Sequence, residues 1–254
     1  MTATVFRSGR IHFLDEVRGF DLILMVFFHA FYVIGYLFGF YWGIELFQFF
    51  SPVEPFFAGL FIFICGISCR LSRSNGKRGT LLALVAAGVS VFLYLFMRDE
   101  MIWFGILHFL AVSILLFALL RPLLDRIPPM TGVVISFLLL ALTWWAPAYK
   151  GSLLGIEGLF TVEIPEWLVR IPALYPLGIG AGRGADYFPL LPWFFCFLAG
   201  SYTGVWARQG RFPGWMYTSR LPWLSWLGRH TLIIYVFHQP IIFGLCWLAV
   251  HLFL

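Results

Sequence analysis

The chain has 254 residues, 61% of them hydrophobic and 11% charged, with a formal net charge of +5. A soluble domain carries roughly a quarter charged residues, and here the apolar residues gather in blocks of the roughly 20 residues that cross a bilayer as helix. Composition therefore excludes a soluble globular fold. No short alternating segments suggest a β-barrel, and no basic run with interleaved aromatics stands outside the apolar blocks to bind nucleic acid.

Backbone in hydrocarbon must satisfy its own hydrogen bonds, so the blocks read as helices. The pattern predicts an all-α polytopic bundle, a single domain over 1–254, with about seven spans. They fall near 19–41, 55–72, 80–97, 102–120, 131–147, 188–207 and 230–253. Arg7 and Arg10 precede the first apolar run and no small-residue cleavage site follows it, which makes the first helix an uncleaved anchor. Gly35, Gly39 and Gly43 give a doubled G-x-x-x-G spacing that the pattern places in the outer half of that helix. The spacing suits a homodimer contact and packing within one chain equally. Pro52 and Pro55 open the second span, Pro128 and Pro129 punctuate the fourth connection, and Pro189 and Pro192 sit at the start of the sixth. Cys65, Cys69, Cys196 and Cys246 lie within spans and read as small packing residues; no metal site is expected.

With the N-terminus in the cytoplasm, every Lys and Arg falls inside except Arg98, Lys150, Arg170 and Arg183. The positive-inside rule selects that orientation, with the C-terminus outside, as expected of a bacterial inner-membrane protein. The one long connection, 148–187, then faces outward and reads equally as a lid-like or re-entrant loop and as a plain flexible one. No internal repeat is present to suggest an inverted-repeat transporter.

Ionisable side chains within hydrocarbon are costly and usually face the protein interior with a task. Those here are Asp21, His29, His108, His238 and, near the end, His251. Arg18 and His29 lie close to three helical turns apart, about 16 Å along the axis, and Asp21 and Met25 continue the same face. A ligand with an anionic head at the inner surface and a reactive end near the midplane fits that ruler, and acyl-coenzyme A has this shape. Arginine suits its phosphates and histidine its reactive end. Counting the rise from either end brings His108 and His238 to within a turn or two of His29's depth.

The ensemble of motifs resembles membrane acyltransferases of the heparan-α-glucosaminide N-acetyltransferase catalytic-domain type. Leu14-Asp15-x-x-Arg18-Gly19 running to Met25 and His29 carries the likeness first, and it also fits the Arg-x10-His signature of the wider membrane acyltransferase superfamily. Phe63-x-x-Gly66-Ile67-Ser68, the basic turn Ser74-Asn75-Gly76-Lys77-Arg78-Gly79 and Phe104-Gly105-Ile106-Leu107-His108 follow. Asp186-Tyr187-Phe188-Pro189 and Gly228-Arg229-His230-Thr231 through Tyr235-x-x-His238-Gln239-Pro240 complete it.

The resemblance implies acetyl transfer from cytoplasmic acetyl-CoA to a sugar-like or lipid-linked acceptor on the far side. It assigns Arg18, Asn75, Lys77, Arg78, Arg229 and Gln239 to acetyl-CoA. His29 serves as base or as transient acetyl carrier, with Asp21, His108 and His238 beside it in the catalytic set. Asp186, Arg183 and Tyr187 would meet the acceptor. Where the glucosaminide enzymes carry a proposed catalytic histidine, this chain reads Gly39-Phe40-Tyr41-Trp42, so the broader signature carries catalysis onto His29. Without the lumenal domain of the eukaryotic enzymes, the chain reads as a compact prokaryotic relative. Two other classes stand beside this reading. One is a b-type haem protein with His29 and His238 as axial ligands; the other is a small transporter or flippase with His108 and Asp21 in a proton relay.

Overall fold

The computed structural model describes residues 9–146, 152–156, 159–179 and 186–253. It falls into two compact units, Met1–Phe61 with Phe212–Leu254, and Ile62–Arg211.

In the first unit α1 (His12–Tyr32) continues into a π-helical turn, Val33–Leu37, and is followed by α2 (Tyr41–Phe50). After residue 212 come α9 (Pro222–Arg229) and α10 (Thr231–Phe253). Helix α1 starts at His12, a full two turns before the apolar window predicts. The extension is possible because its charges are matched. Asp15 pairs with Arg10 and with Arg18, the latter at 3.2 Å. The Glu16 carboxylate accepts from the Ser219 hydroxyl at 3.1 Å and from the backbone N–H groups of Arg220 and Leu221 at 2.7 and 2.9 Å.

Backbone meets backbone where α1 crosses α9. A methyl group on Gly19 would stand well under 3.0 Å from the Leu224 carbonyl oxygen, and one on Gly228 equally close to that of Asp15. Without an apolar driving force between helices in lipid, such small-residue contacts let dispersion and backbone dipoles hold the pair.

The glycine stripe differs from its predicted place. Gly39 has φ 76° and ends the first helix, because only glycine takes that conformation without strain. Gly43 therefore sits on α2, and it folds back against Gly35: a side chain on either would lie 2.6 Å from a backbone nitrogen of the other segment. Phe28 stacks on Phe47 at 4.5 Å and Phe31 on Phe50 at 5.9 Å along the same reversal. The close contact at Gly35 and Gly43 is thus made within one chain.

The second unit takes in the Ile62–Leu71 portion of α3 (Glu54–Leu71), then α4 (Asn75–Phe96), α5 (Ile106–Leu124), α6 (Pro129–Leu142) and α8 (Leu190–Arg208). Gly66 lies against the Phe197 carbonyl, and Gly200 and Gly204 against those of Phe63 and Ile67, which closes α3 onto α8. Phe109, Phe117 and Phe197 fill the fully buried centre. Between α6 and α8 the described part of the long connection forms an antiparallel hairpin, β1 (Ser152–Ile156) with β2 (Phe160–Glu163), then a single helical turn, α7 (Glu166–Val169). The loop thus has structure of its own where composition gave no preference.

Among the described residues six helices are long and apolar enough to span a membrane, and α6 is a shorter apolar one. Its 14 residues reach about 21 Å, short of a hydrocarbon core of about 30 Å. Seven apolar helices were expected; six meet the length and the fifth in order does not. Outward faces carry apolar side chains, as on α4 (Leu84, Phe92, Leu95) and α10 (Ile233, Phe237, Leu245), which in water would be an aggregation surface and in lipid is the solvent-matched one. This is an integral membrane protein with an all-α polytopic fold.

Arg70 behaves differently from a topological surface charge. Its buried guanidinium pairs with Asp125, donates to the Ser201 carbonyl at 3.1 Å and lies 4.9 Å over the Phe117 ring. Burial pushes the Asp125 carboxyl up, but the hydrogen bond and charge of Arg70, with help from Arg121, outweigh it and hold the group below the ordinary carboxylate range.

Gly228→Ala should force α9 away from α1 and lower the thermal midpoint in detergent by on the order of 5 °C. Gly88→Ala, where nothing lies within 4 Å, should leave it unchanged or raised. Equal midpoints for the two variants contradict the close packing.

Candidate functional site

The face of α1 that carries Arg18, Asp21 and His29 turns inward within the first unit. The Arg18 Nη1 donates to Asp15 at 3.2 Å and to the Gly228 carbonyl at 3.4 Å, so it sits beside the residue that precedes Arg229. Arg229 itself is exposed, with its Nε on the Ser225 carbonyl at 3.2 Å. These two predicted anion-binding residues are therefore brought to the same end of α1. Asp21 is buried, and neither of its oxygens has a hydrogen-bond partner among the described residues.

Three turns on from Arg18, His29 Nδ1 meets His238 Nε2 of α10 at 2.8 Å. The rings meet edge to edge and nearly coplanar, with centroids 5.0 Å apart and planes at 24°. His238 is only 5% exposed, and its Nδ1 lies 2.6 Å from the Tyr235 carbonyl oxygen one turn earlier. Gln239 follows it, half-buried. Metal–imidazole bonds run about 2.0 Å, so axial ligands across one iron stand roughly 4 Å apart with a porphyrin plane between. Nitrogens in direct hydrogen-bond contact leave no such gap, which removes the geometry of the haem reading.

In the second unit, the two motifs that precede α5 and α8 join. The Phe188 N–H donates to the Phe104 carbonyl at 3.1 Å, and an Asp186 carboxylate oxygen lies 2.5 Å from where a Cβ on Gly105 would stand. Gly105 is the N-cap of α5, so the carboxylate approaches the positive end of a helix dipole. Tyr187 donates its hydroxyl to the Tyr175 carbonyl at 2.6 Å and packs on the Tyr175 ring. His108, in the first turn of α5, places Nε2 3.0 Å from the Ser90 hydroxyl of α4, which also lies 3.3 Å from the Ile102 carbonyl. Asn75 is buried at the start of α4 with its amide on the Cys69 carbonyl at 2.8 Å, while Lys77 and Arg78 are exposed beside it. Arg183 lies outside the described residues.

The family model described as "Heparan-alpha-glucosaminide N-acetyltransferase, catalytic" matches residues 10–240, across both units. The chain belongs to this family. No curated protein and no solved structure matches it. Membership in the heparan-alpha-glucosaminide N-acetyltransferase catalytic family points to a membrane acetyltransferase, and the segments it covers include each described group above.

Within this family member, the sequence located His29 and His238 by depth alone, and the structure brings them into contact. Two partners had no such signal. Ser90 is one hydroxyl in an apolar helix, and its link to His108 depends on how α4 meets α5. Arg70 looked like one more basic residue at a helix end, since nothing in the spacing ties it to Asp125.

Asp21→Asn preserves shape and removes a buried carboxylate that has no hydrogen-bond donor among the described residues. Its thermal midpoint should equal or exceed that of the wild type; a drop of several degrees would mean that the carboxylate is held by a charge pair the fold requires.

Proposed function

We propose that this membrane acetyltransferase moves an acetyl group from cytoplasmic acetyl-CoA to an amine or hydroxyl of a glycan-like or lipid-linked acceptor at the opposite face, in a bacterial inner membrane with the N-terminus inside. The observation that carries this reading is the His29–His238 pair, two imidazoles in contact on membrane-spanning helices of an acetyltransferase-family chain. Imidazole is the side chain whose ordinary pKa suits general-base work at neutral pH.

Arg18, with Arg229 near it, and the turn Asn75, Lys77 and Arg78 are assigned to the phosphates of CoA. Arginine's planar fork donates several hydrogen bonds to a phosphate at once. Gln239 lines the path of the pantetheine arm. Asp186, Tyr187 and Arg183 are assigned to the acceptor, and His108 to the catalytic set with His29 and His238. Asp21, on the face of α1 that also carries His29, serves proton traffic.

The acceptor's nitrogen or oxygen lone pair attacks the thioester carbonyl. A C–N or C–O bond forms, the C–S bond breaks, and His29 takes the acceptor's proton. That proton then passes to the departing CoA thiolate, which leaves as the free thiol. The products are acetylated acceptor and CoA, and the histidine returns to its starting state. Holding the thioester away from water suppresses its hydrolysis, and a positioned base contributes typically a hundredfold or more. A transporter reading has no such use for an acetyltransferase-family chain.

Purified protein in liposomes, given radiolabelled acetyl-CoA and a panel of amino sugars and lipid-linked glycans, should label at least one acceptor. His29→Ala should lower kcat/KM by about a hundredfold or more. Undiminished transfer by that variant removes His29 from the chemistry, and no transfer to any acceptor by the wild type counts against the function.

A further inference from the structure

We infer that His238, held by the Tyr235 carbonyl, fixes the proton arrangement of His29 so that Nε2 of His29 is its reacting atom. His238 is then a positioning residue for the transfer. The part that concerns catalysis rests on the function proposed above; the proton arrangement itself does not.

Three groups, the Tyr235 carbonyl, His238 and His29, form one hydrogen-bonded chain. A carbonyl oxygen only accepts, so the His238 Nδ1 that lies 2.6 Å from Tyr235 must carry a hydrogen. A neutral imidazole has one N–H, so Nε2 of His238 presents a lone pair. Nδ1 of His29 stands 2.8 Å from that lone pair and must be the donor in the second bond. The single N–H of neutral His29 is thereby committed to Nδ1, and its Nε2 carries the lone pair.

The direction of the relay follows from a main-chain atom one helical turn from His238, and a main-chain carbonyl cannot reverse its role. Were His29 to hold its hydrogen on Nε2 instead, two lone pairs would face each other across 2.8 Å beside a buried His238. The fold pays for one tautomer only.

The arrangement has two consequences for chemistry. A proton arriving at Nε2 of His29 makes an imidazolium whose Nδ1–H already points at an acceptor, so the bond to His238 becomes charge-assisted as the proton arrives. The stabilisation grows along the reaction coordinate, which is the kind that raises kcat rather than tightening substrate binding. A second proton on the pair would set N–H against N–H between the two rings, so the pair accepts one proton and no more. His238 thus does for His29 what an orienting partner does for any catalytic imidazole: it selects the tautomer and steadies the cation.

A merely structural role for the contact, joining α1 to α10, would leave the tautomer without consequence. The test separates the two. Full-length protein labelled with 15N-histidine and reconstituted in lipid bilayers is read by solid-state NMR at a pH where the pair is neutral. The His29 and His238 signals are assigned by their loss in His29→Ala and His238→Phe. The expected result is a protonated Nδ1 and a non-protonated Nε2 on both residues. A protonated Nε2 on His29 overturns the inference whether or not the protein transfers acetyl groups, so this arm fails independently of the proposed function.

The second arm is kinetic. His238→Phe should lower kcat by about tenfold or more while KM for acetyl-CoA stays within about twofold. His238→Gln, whose amide oxygen can reach the same place and accept the same hydrogen, should recover part of that loss. Equal kcat for His238→Phe and wild type overturns the positioning role, and so does a loss that Gln does not relieve. Should His238→Phe fail to fold, the wild-type spectrum, assigned with His29→Ala and His238→Gln, still decides the tautomer, and His238→Gln still decides the role: a kcat as low as that of His29→Ala overturns it.

Discussion

The backbone contact between α1 and α9 sets the position of everything on the first unit's functional face. Gly19 and Gly228 have no side chains to keep the helices apart, and the main chains touch. A distance fixed by backbone atoms does not drift with rotamers, and it sets how far α10 can stand from α1. The hydrogen bond between His29 and His238 tolerates only a few tenths of an ångström of error, and catalytic groups in general need comparable precision from rigid supports. Glu16 reinforces the same joint by gathering two backbone N–H groups and a hydroxyl just ahead of α9. These residues never touch a reacting atom; they determine whether the imidazoles meet.

On that frame the protein places polar chemistry where lipid would otherwise forbid it. Two imidazoles satisfy each other and a main-chain carbonyl, so the cost of burying them is met by hydrogen bonds that also orient them. Asp21 is the opposite case, a buried carboxylate without a hydrogen-bond donor among the described residues. Its place on the face of α1 that carries His29 fits the general rule that intramembrane carboxylates have work to do. Arg70 follows the other rule for buried charge. It is paired, hydrogen-bonded and sandwiched against aromatic faces, and it braces the second unit.

How much of this was legible in the sequence depends on the range of the interaction. Spans were legible because hydropathy is a local sum, and the seven apolar helices among the described residues overlap the stretches that sum picks out. Their ends were less so. The start of α1 depends on Glu16 finding donors at Ser219–Leu221, and its end on a single glycine, Gly39, that periodicity reads as one more small residue. The depth of His29 and His238 followed from counting rise along each helix. Their hydrogen bond did not, since it depends on the angle at which α10 leaves α9. The proton arrangement was further out of reach, because it is dictated by a main-chain oxygen of Tyr235 and no residue type encodes it. Arg70 with Asp125 and His108 with Ser90 were hidden for the same reason: each pair is made by helix packing, and sequence spacing says nothing of it.

In the proposed transfer the reactive end of the acyl donor comes to His29. A cryo-electron microscopy structure with a non-hydrolysable acetyl-CoA analogue shows whether it does. A pantetheine arm should run along α1 from the Arg18 end, with the carbonyl carbon next to Nε2 of His29 and room there for an acceptor proton to reach it within about 3 Å. An analogue bound with its acetyl group away from α1, and the His29–His238 pair facing lipid or protein alone, would contradict it.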